Sequence, residues 1–265
     1  MTPNRPSGSV QYDNTGRVAV VTGGAGGIGG AICEALARSG ATVLCLDVQE
    51  PAEPVEGVVF HRCDTSNEDD CQAAVRWAIE THGGLDILVN NAAVQPAESY
   101  VPVHEMPAEV WNRLVSINFS GYTFMAKHAL RHMKQQKSGV VVNIASAHGH
   151  RSARKAPAYG PIKAGNILQA MQWGLEYARD GVRVVSVSPG AIDTPLVRMA
   201  VAVQGGGADL ANRHPLGRIG RPEEIASAVL WLSSAGASFV TATDLQVDGG
   251  LGAFAAFAPA YEMEE

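Results

Sequence analysis

The sequence predicts an α/β fold: one doubly wound parallel sheet of about seven strands, with helices on both faces. Three observations carry that prediction. Apolar runs alternate with segments of helical period along the chain, the pattern of successive βαβ units. Most of these runs are apolar throughout rather than at every second position, as strands covered on both faces require. The first run, Val18-Ala19-Val20-Val21, leads directly into the glycine-rich stretch Thr22-Gly23-Gly24-Ala25-Gly26-Gly27-Ile28-Gly29. With 265 residues, 46% of them apolar and 17% charged, the chain can bury an ample core, and no internal boundary or fixed-period repeat is visible.

Taken in order, residues 1–15 are rich in Pro, Ser, Asn and Gly and are expected to form a flexible arm ahead of a single domain over 16–265. A strand near 17–22 meets the glycine turn, and a helix near 27–39 follows it. Apolar runs predict strands near 41–47 and 57–61, then a helix near 66–82. The run Leu85-Asp86-Ile87-Leu88-Val89 marks the strand at 85–90. Long helices near 107–136 and 157–180 flank a strand at 139–145; they carry apolar residues on more than one side, including Trp111, Leu114, Phe124, Met125, Ile167, Leu168, Met171 and Trp173, which suit either core or a subunit interface. After a strand at 182–188, the segment 191–217 has Gly205-Gly206-Gly207 at its middle and Pro195 and Pro215 near its ends, and reads as a substrate lid or a surface loop. Pro222 suits the first turn of a helix near 222–234, with Glu223 and Glu224 at its positive end. The last strand lies near 243–247, and the apolar tail 251–265 is expected to bury itself across an interface.

Composition excludes several roles. A net charge of −6 argues against a nucleic-acid surface, which needs clustered cations. No apolar run approaches the ~20 residues that span a bilayer, and the first sixteen residues lack the apolar centre of a secretory signal, so no membrane partner is expected. Cys33, Cys45, Cys63 and Cys71 show no CxxC pairing and read as reduced, buried thiols of a cytoplasmic protein. His148 and His150 lack a third ligand, so no metal is expected.

The glycine turn sits where a strand hands over to a helix. Gly23, Gly27 and Gly29, with Ile28 between the last two, let the backbone bend sharply and bring its N–H groups close to a pyrophosphate at the helix start. Asp47 ends the second strand eighteen residues after Gly29, where a carboxylate accepts both hydroxyls of an adenine ribose. A 2′-phosphate about 4 Å away would be repelled by roughly 4 kcal/mol per charge at an effective dielectric near 20, which favours NAD over NADP. Asp64 follows the next strand and suits an adenine amine, or with Thr65 and Ser66 a helix cap. Asn91 and Ala92, in Asn90-Asn91-Ala92-Ala93, end the fourth strand as ribose neighbours or turn formers.

Tyr159 and Lys163 lie one helical turn apart, thirteen residues beyond Ser146. An ammonium about 4 Å from the phenol would lower its pKa by about three units, from near 10 toward neutrality, which suits a general acid/base beside a hydride transfer. Ser146 can hold the substrate oxygen.

The ordered set of glycine turn, strand-end Asp, NNAA, Ser and YxxxK resembles the short-chain dehydrogenase/reductase family over residues 16–250. The resemblance implies a Rossmann-like fold, a homodimer or homotetramer built through the two long helices, and a tetrad of Asn118, Ser146, Tyr159 and Lys163. In it Tyr159 is the acid/base, Lys163 holds the nicotinamide ribose, Ser146 polarises the reacting oxygen, and Asn118 keeps a water that links Lys163 to solvent. Pro189, Gly190, Ile192 and Thr194 match the family's nicotinamide contact, and Val247-Asp248-Gly249-Gly250 its closing strand. Ala93, Ala145 and Pro161 depart from the commonest pattern without removing a catalytic group; Pro161 is harmless if it falls in the first turn of its helix.

The expected activity is hydride transfer between NAD and a secondary alcohol or hemiacetal carbon of a small molecule, a polyol or sugar that can be anionic. Gln95, Ser146, His148, Arg151, Arg154 and Tyr159 are the expected substrate contacts, although the basic stretch 148–155 also suits a solvated or subunit-facing loop. A 3-oxoacyl or ketone reductase is the alternative within the enzyme class, and a non-catalytic dinucleotide sensor the alternative outside it.

Overall fold

The structure, a computed structural model, describes residues 10–204 and 207–253. The first nine residues of the expected arm, Gly205 and Gly206 of the triple glycine, and the tail from Phe254 onward lie outside the described residues.

Seven strands form one parallel sheet: β1 (Val18–Thr22), β2 (Thr42–Asp47), β3 (Val58–Arg62), β4 (Ile87–Asn90), β5 (Gly139–Ile144), β6 (Val182–Pro189) and β7 (Thr243–Val247), in the spatial order β3-β2-β1-β4-β5-β6-β7. The order reverses at β1, which pairs Val20 with Leu44 of β2 on one side and with Leu88 of β4 on the other. A crevice at the carboxyl ends of β1 and β4 is the general ligand position in such a sheet. The α-helices are α1 (Gly27–Arg38), α2 (Glu68–His82), α3 (Ala108–Val115), α4 (Gly121–Gln136), α5 (Tyr159–Tyr177), α6 (Pro195–Gln204), α7 (Gly207–Asn212) and α8 (Pro222–Ser233) among the described residues.

Successive strand residues point to opposite faces, and both faces are covered. Ala19, Val21, Val43, Val89 and Val187 pack with Ile32 and Leu36 of α1 and Ile225 and Val229 of α8. Val20, Leu44, Leu88, Val141 and Val184 pack with Val75 of α2, Met125 and Met133 of α4 and Ala170 of α5. Double coverage explains the uninterrupted apolar runs in β1 and β2; the edge strands β3 and β7 are only partly buried.

Three elements differ from the sequence expectation. The helix expected over 107–136 contains a π-helical turn at Ser116–Ser120, between α3 and α4. The segment 191–217 is not an irregular loop, since α6 starts on Pro195 and runs through Leu196, Val197, Met199 and Val201, and α7 follows. The cap of α2 is Asn67, whose Oδ1 accepts from Asp69 N at 2.9 Å and Asp70 N at 3.4 Å, one residue beyond the Asp64–Ser66 cluster. Pro222 does open α8, where Glu224 Oε2 accepts from Arg221 N at 2.8 Å. The Arg218 guanidinium, paired with Glu224, holds that carboxyl down at about 2.

Candidate active site

The turn between β1 and α1 has no room for side chains at Gly23, Gly24 and Gly29. Gly23 and Gly27 adopt φ of +64° and +55°, which L side chains rarely take. A Cβ on Gly29 would lie 2.1 Å from Gly23 O, and one on Gly23 would lie 2.8 Å from Ala92 Cα. Asn91 Nδ2 donates to Thr22 O and Gly23 O, both at 3.0 Å, while Asn91 N and Ala92 N donate to Thr22 Oγ1 at 2.9 and 3.1 Å. The end of β4 therefore braces the glycine turn. Ile28 anchors the start of α1 in the core, and that helix start has no side-chain cap. A cradle closed to a Cβ, ending on an uncapped helix N-terminus, fits a dinucleotide pyrophosphate.

Asp47 ends β2 at the same mouth, and its Oδ2 accepts from Ala25 N of the turn at 3.1 Å. Asp64 lies beyond β3, with Oδ1 accepting from Ser66 N at 2.9 Å and Ser66 Oγ at 2.7 Å. This is the local turn chemistry that competed with an adenine contact in the sequence reading. On the other side of the crevice, Gly190 N donates to Val247 O at 3.1 Å, Ile192 bridges to Gly220, and Thr194 Cγ2 would be 3.5 Å from a Cβ on Gly27. The segment beginning at Pro189 thus reaches over to the glycine turn. His214 steadies it: Nε2 accepts from Ala191 N at 3.1 Å, leaving Nδ1 to donate to Leu210 O at 2.8 Å.

Tyr159 and Lys163 lie in the first two turns of α5, and Pro161, at the third helical position, sits where its missing N–H has no intrahelical acceptor. Lys163 is 1% exposed. Its Nζ donates to Ile144 O at 2.7 Å and to Tyr122 Oη at 3.2 Å, and lies 5.7 Å from the centroid of the Tyr159 ring. Burial, the dominant influence, pushes the Tyr159 phenol up to about 12; Tyr100 adds to the rise and a hydrogen bond with Ser146 opposes it. Burial also lowers the Lys163 ammonium to about 7. The expectation that Lys163 alone brings Tyr159 near neutrality is therefore not met. The ammonium is directed at a backbone carbonyl, and desolvation of both groups outweighs their mutual attraction.

Asn118 is completely buried on the π-helical turn. Its Nδ2 donates to Val94 O and its Oδ1 accepts from Val94 N, each at 2.8 Å, while its carbonyl accepts from Asn166 Nδ2 at 3.1 Å. Its side chain thus clamps the loop after β4, which carries the buried Gln95.

The basic stretch 148–155 divides in two. His148 N donates to Ser146 Oγ at 3.1 Å, and its ring stands edge-on to Tyr159 with centroids 5.7 Å apart and planes at 80°. His150 Nε2 pairs with Asp244 Oδ2 of β7 at 2.8 Å, and Arg151 donates to Gly252 O. Arg151 thus clasps the turn after β7, while Arg154 is exposed. Sequence alone does not single out Tyr122, Asn166 or His214, whose partners Ile144 O, Asn118 O and Ala191 N lie 22 to 48 residues away, nor Tyr100, which carries no local motif.

All four cysteines are buried free thiols. Among the described residues no cluster of three or more His, Cys, Asp or Glu could hold a metal, and no helix is long and apolar enough to cross a membrane.

A family model described as Enoyl-(Acyl carrier protein) reductase matches residues 23–252. The chain is 40% identical over 243 residues to a cis-4-hydroxycyclohexanecarboxylate dehydrogenase of Sinomonas cyclohexanicum, covering 88% of this chain and 96% of that one. Among solved structures it is similar to ligand-free aldohexose dehydrogenase of Thermoplasma acidophilum, with a TM-score of 0.87, 33% identity and coverage of 94% and 98%. It is also similar to levodione reductase, with a TM-score of 0.84, 32% identity and coverage of 90% and 98%.

Proposed function

As a member of the short-chain dehydrogenase/reductase family, to which the chain belongs, the protein is an oxidoreductase acting on CH–OH groups, and we propose that it oxidises a secondary alcohol or hemiacetal carbon of a cyclic polyol or sugar with NAD. The observation that carries this reading is Tyr159 close to Ser146 and one helical turn before the buried Lys163, whose ammonium donates to Ile144 O at the carboxyl end of β5, the same end of the sheet as the braced glycine turn. When bound, the nicotinamide supplies the hydride acceptor. Ser146 Oγ orients the substrate oxygen, Tyr159 Oη takes its proton, and Lys163 holds the ribose within the desolvated pocket. Asn118 positions the substrate loop through Val94, and in this reading a water beside it links Lys163 to solvent.

NAD is preferred because the Asp47 carboxylate stands at the mouth of the glycine turn, where a 2′-phosphate would be repelled. Asn91 and Ala92 shape the ribose side, Pro189, Gly190, Ile192 and Thr194 the nicotinamide side, and Asp64 the adenine end. Gln95 and His148 border the substrate, with Arg154 near an anionic group, and α6 and α7 act as its lid. Leu168 and Leu175 stand 65% and 73% exposed on α5, which supports a homodimer or homotetramer through that helix, and the unpaired thiols suit a reducing cytoplasm.

One observation favours the reverse reaction, ketone reduction: a phenol raised to about 12 is protonated at physiological pH, the form that donates to a carbonyl. The test is a screen of cyclic alcohols, sugars and hydroxyacyl thioesters by NADH absorbance, repeated with NADP on the best substrate. At least tenfold higher kcat/KM with NAD is expected. Equal use of both cofactors overturns the role of Asp47, and turnover confined to hydroxyacyl thioesters overturns the substrate class.

A further inference from the structure

We propose that Tyr100 is a substrate-recognition residue, whose hydroxyl donates, alongside His148, to a second uncharged oxygen on the same molecule that Tyr159 oxidises. The proposal rests on the oxidoreductase reading above and adds a residue and a substrate feature to it.

Tyr100 follows a short 3₁₀ turn at Ala97–Ser99, in the loop that Asn118 clamps through Val94. The residue is 8% exposed, and its hydroxyl is buried without a hydrogen-bond partner. Leaving a phenol O–H unpaired inside a protein is costly, and such groups call for a ligand or a water. The neighbourhood points to a ligand. The 3₁₀ turn packs against α6, and Tyr100 is close enough to Tyr159 that ionising one phenol disfavours ionising the other. His148, edge-on to the Tyr159 ring, has a second unpartnered atom, the buried Nδ1. Two unsatisfied polar groups on separate loops therefore flank the residue that handles the reacting oxygen.

Their chemistry selects the partner. Burial raises the Tyr100 phenol to about 12 and lowers the His148 imidazole, so both are neutral at physiological pH. A neutral hydroxyl and a neutral imidazole can hydrogen-bond a hydroxyl or carbonyl fully. They offer no countercharge to offset burial of a carboxylate, and the Arg151 guanidinium lies at the exposed surface against Gly252 O. A diol, ketol or sugar carrying its second oxygen within reach of the first fits this pair.

The experiment compares wild type with Tyr100→Phe on cyclohexanol and the 1,2-, 1,3- and 1,4-cyclohexanediols. It reads kcat and KM from NADH formation and Kd by calorimetry on NADH-loaded protein, with Tm as the folding control. At least one diol is expected to bind wild type about tenfold more tightly than cyclohexanol. Tyr100→Phe is expected to abolish that advantage while changing cyclohexanol binding less than twofold. An equal effect on diols and cyclohexanol, or none, overturns the proposal. If neither probe type is turned over, the oxidoreductase reading fails for these alcohols, and the calorimetric contrast still decides the role of Tyr100.

Discussion

The turn between β1 and α1 and the pocket around Tyr159 are built in opposite ways. In the turn, side-chain polar groups are answered by the chain itself: Thr22 Oγ1 accepts from two backbone N–H groups, Asn91 Nδ2 donates to two carbonyls, and Asp47 accepts from Ala25 N. Around Tyr159, by contrast, Tyr100 Oη and His148 Nδ1 are left unpartnered, and the Tyr159 phenol and Lys163 ammonium are displaced from their ordinary pKa values by burial. The turn is a finished mould whose shape decides what enters. The pocket is an unfinished network, with two buried polar atoms unpartnered.

The largest effect that sharpens this contrast is expected at Gly29. Gly29→Ala places a Cβ 2.1 Å from Gly23 O and should weaken NAD binding at least a hundredfold in a fluorescence titration. Gly26→Ala, with extended backbone and nothing within 4 Å of the new Cβ, should change it less than threefold. Equal tolerance of both substitutions would break the account of the turn as a rigid mould. A smaller effect is expected from pH. Because the Tyr159 phenol is raised to about 12, the phenolate fraction grows through the whole range below that value, so kcat/KM for alcohol oxidation should rise at least tenfold from pH 7 to pH 9. Reduction of the matching ketone, which uses the protonated phenol, should stay flat over the same interval. A flat oxidation profile would contradict the elevated phenol.

What the sequence discloses follows the same divide. The strand–turn–helix at Val18–Arg38, the end of β2 at Asp47 and the one-turn spacing of Tyr159 and Lys163 are local features, and the chain folds them where their pattern says. The π-helical turn at Asn118 is not legible, because it depends on Val94 and Asn166 meeting that residue from distant segments. The direction of the Lys163 ammonium was misread for a related reason: helical spacing brings two side chains together but does not show that Ile144 O and Tyr122 Oη offer nearer partners. In 191–217, glycines and prolines at the ends and middle masked the helix-forming run from Pro195 to Gln204. Charge and the family layout put Arg151 near substrate, whereas the carbonyl that holds it belongs to Gly252, a hundred and one residues away.

The central claim is that the Tyr159 hydroxyl moves the proton while the rest of the crevice binds nucleotide independently of it. Tyr159→Phe tests both halves at once, with NAD Kd by fluorescence titration and turnover on the best alcohol in one preparation. The account predicts a Kd within about threefold of wild type and a kcat lowered at least 100-fold, the lower end of what general acid–base groups contribute. Unchanged turnover with intact NAD binding would contradict it.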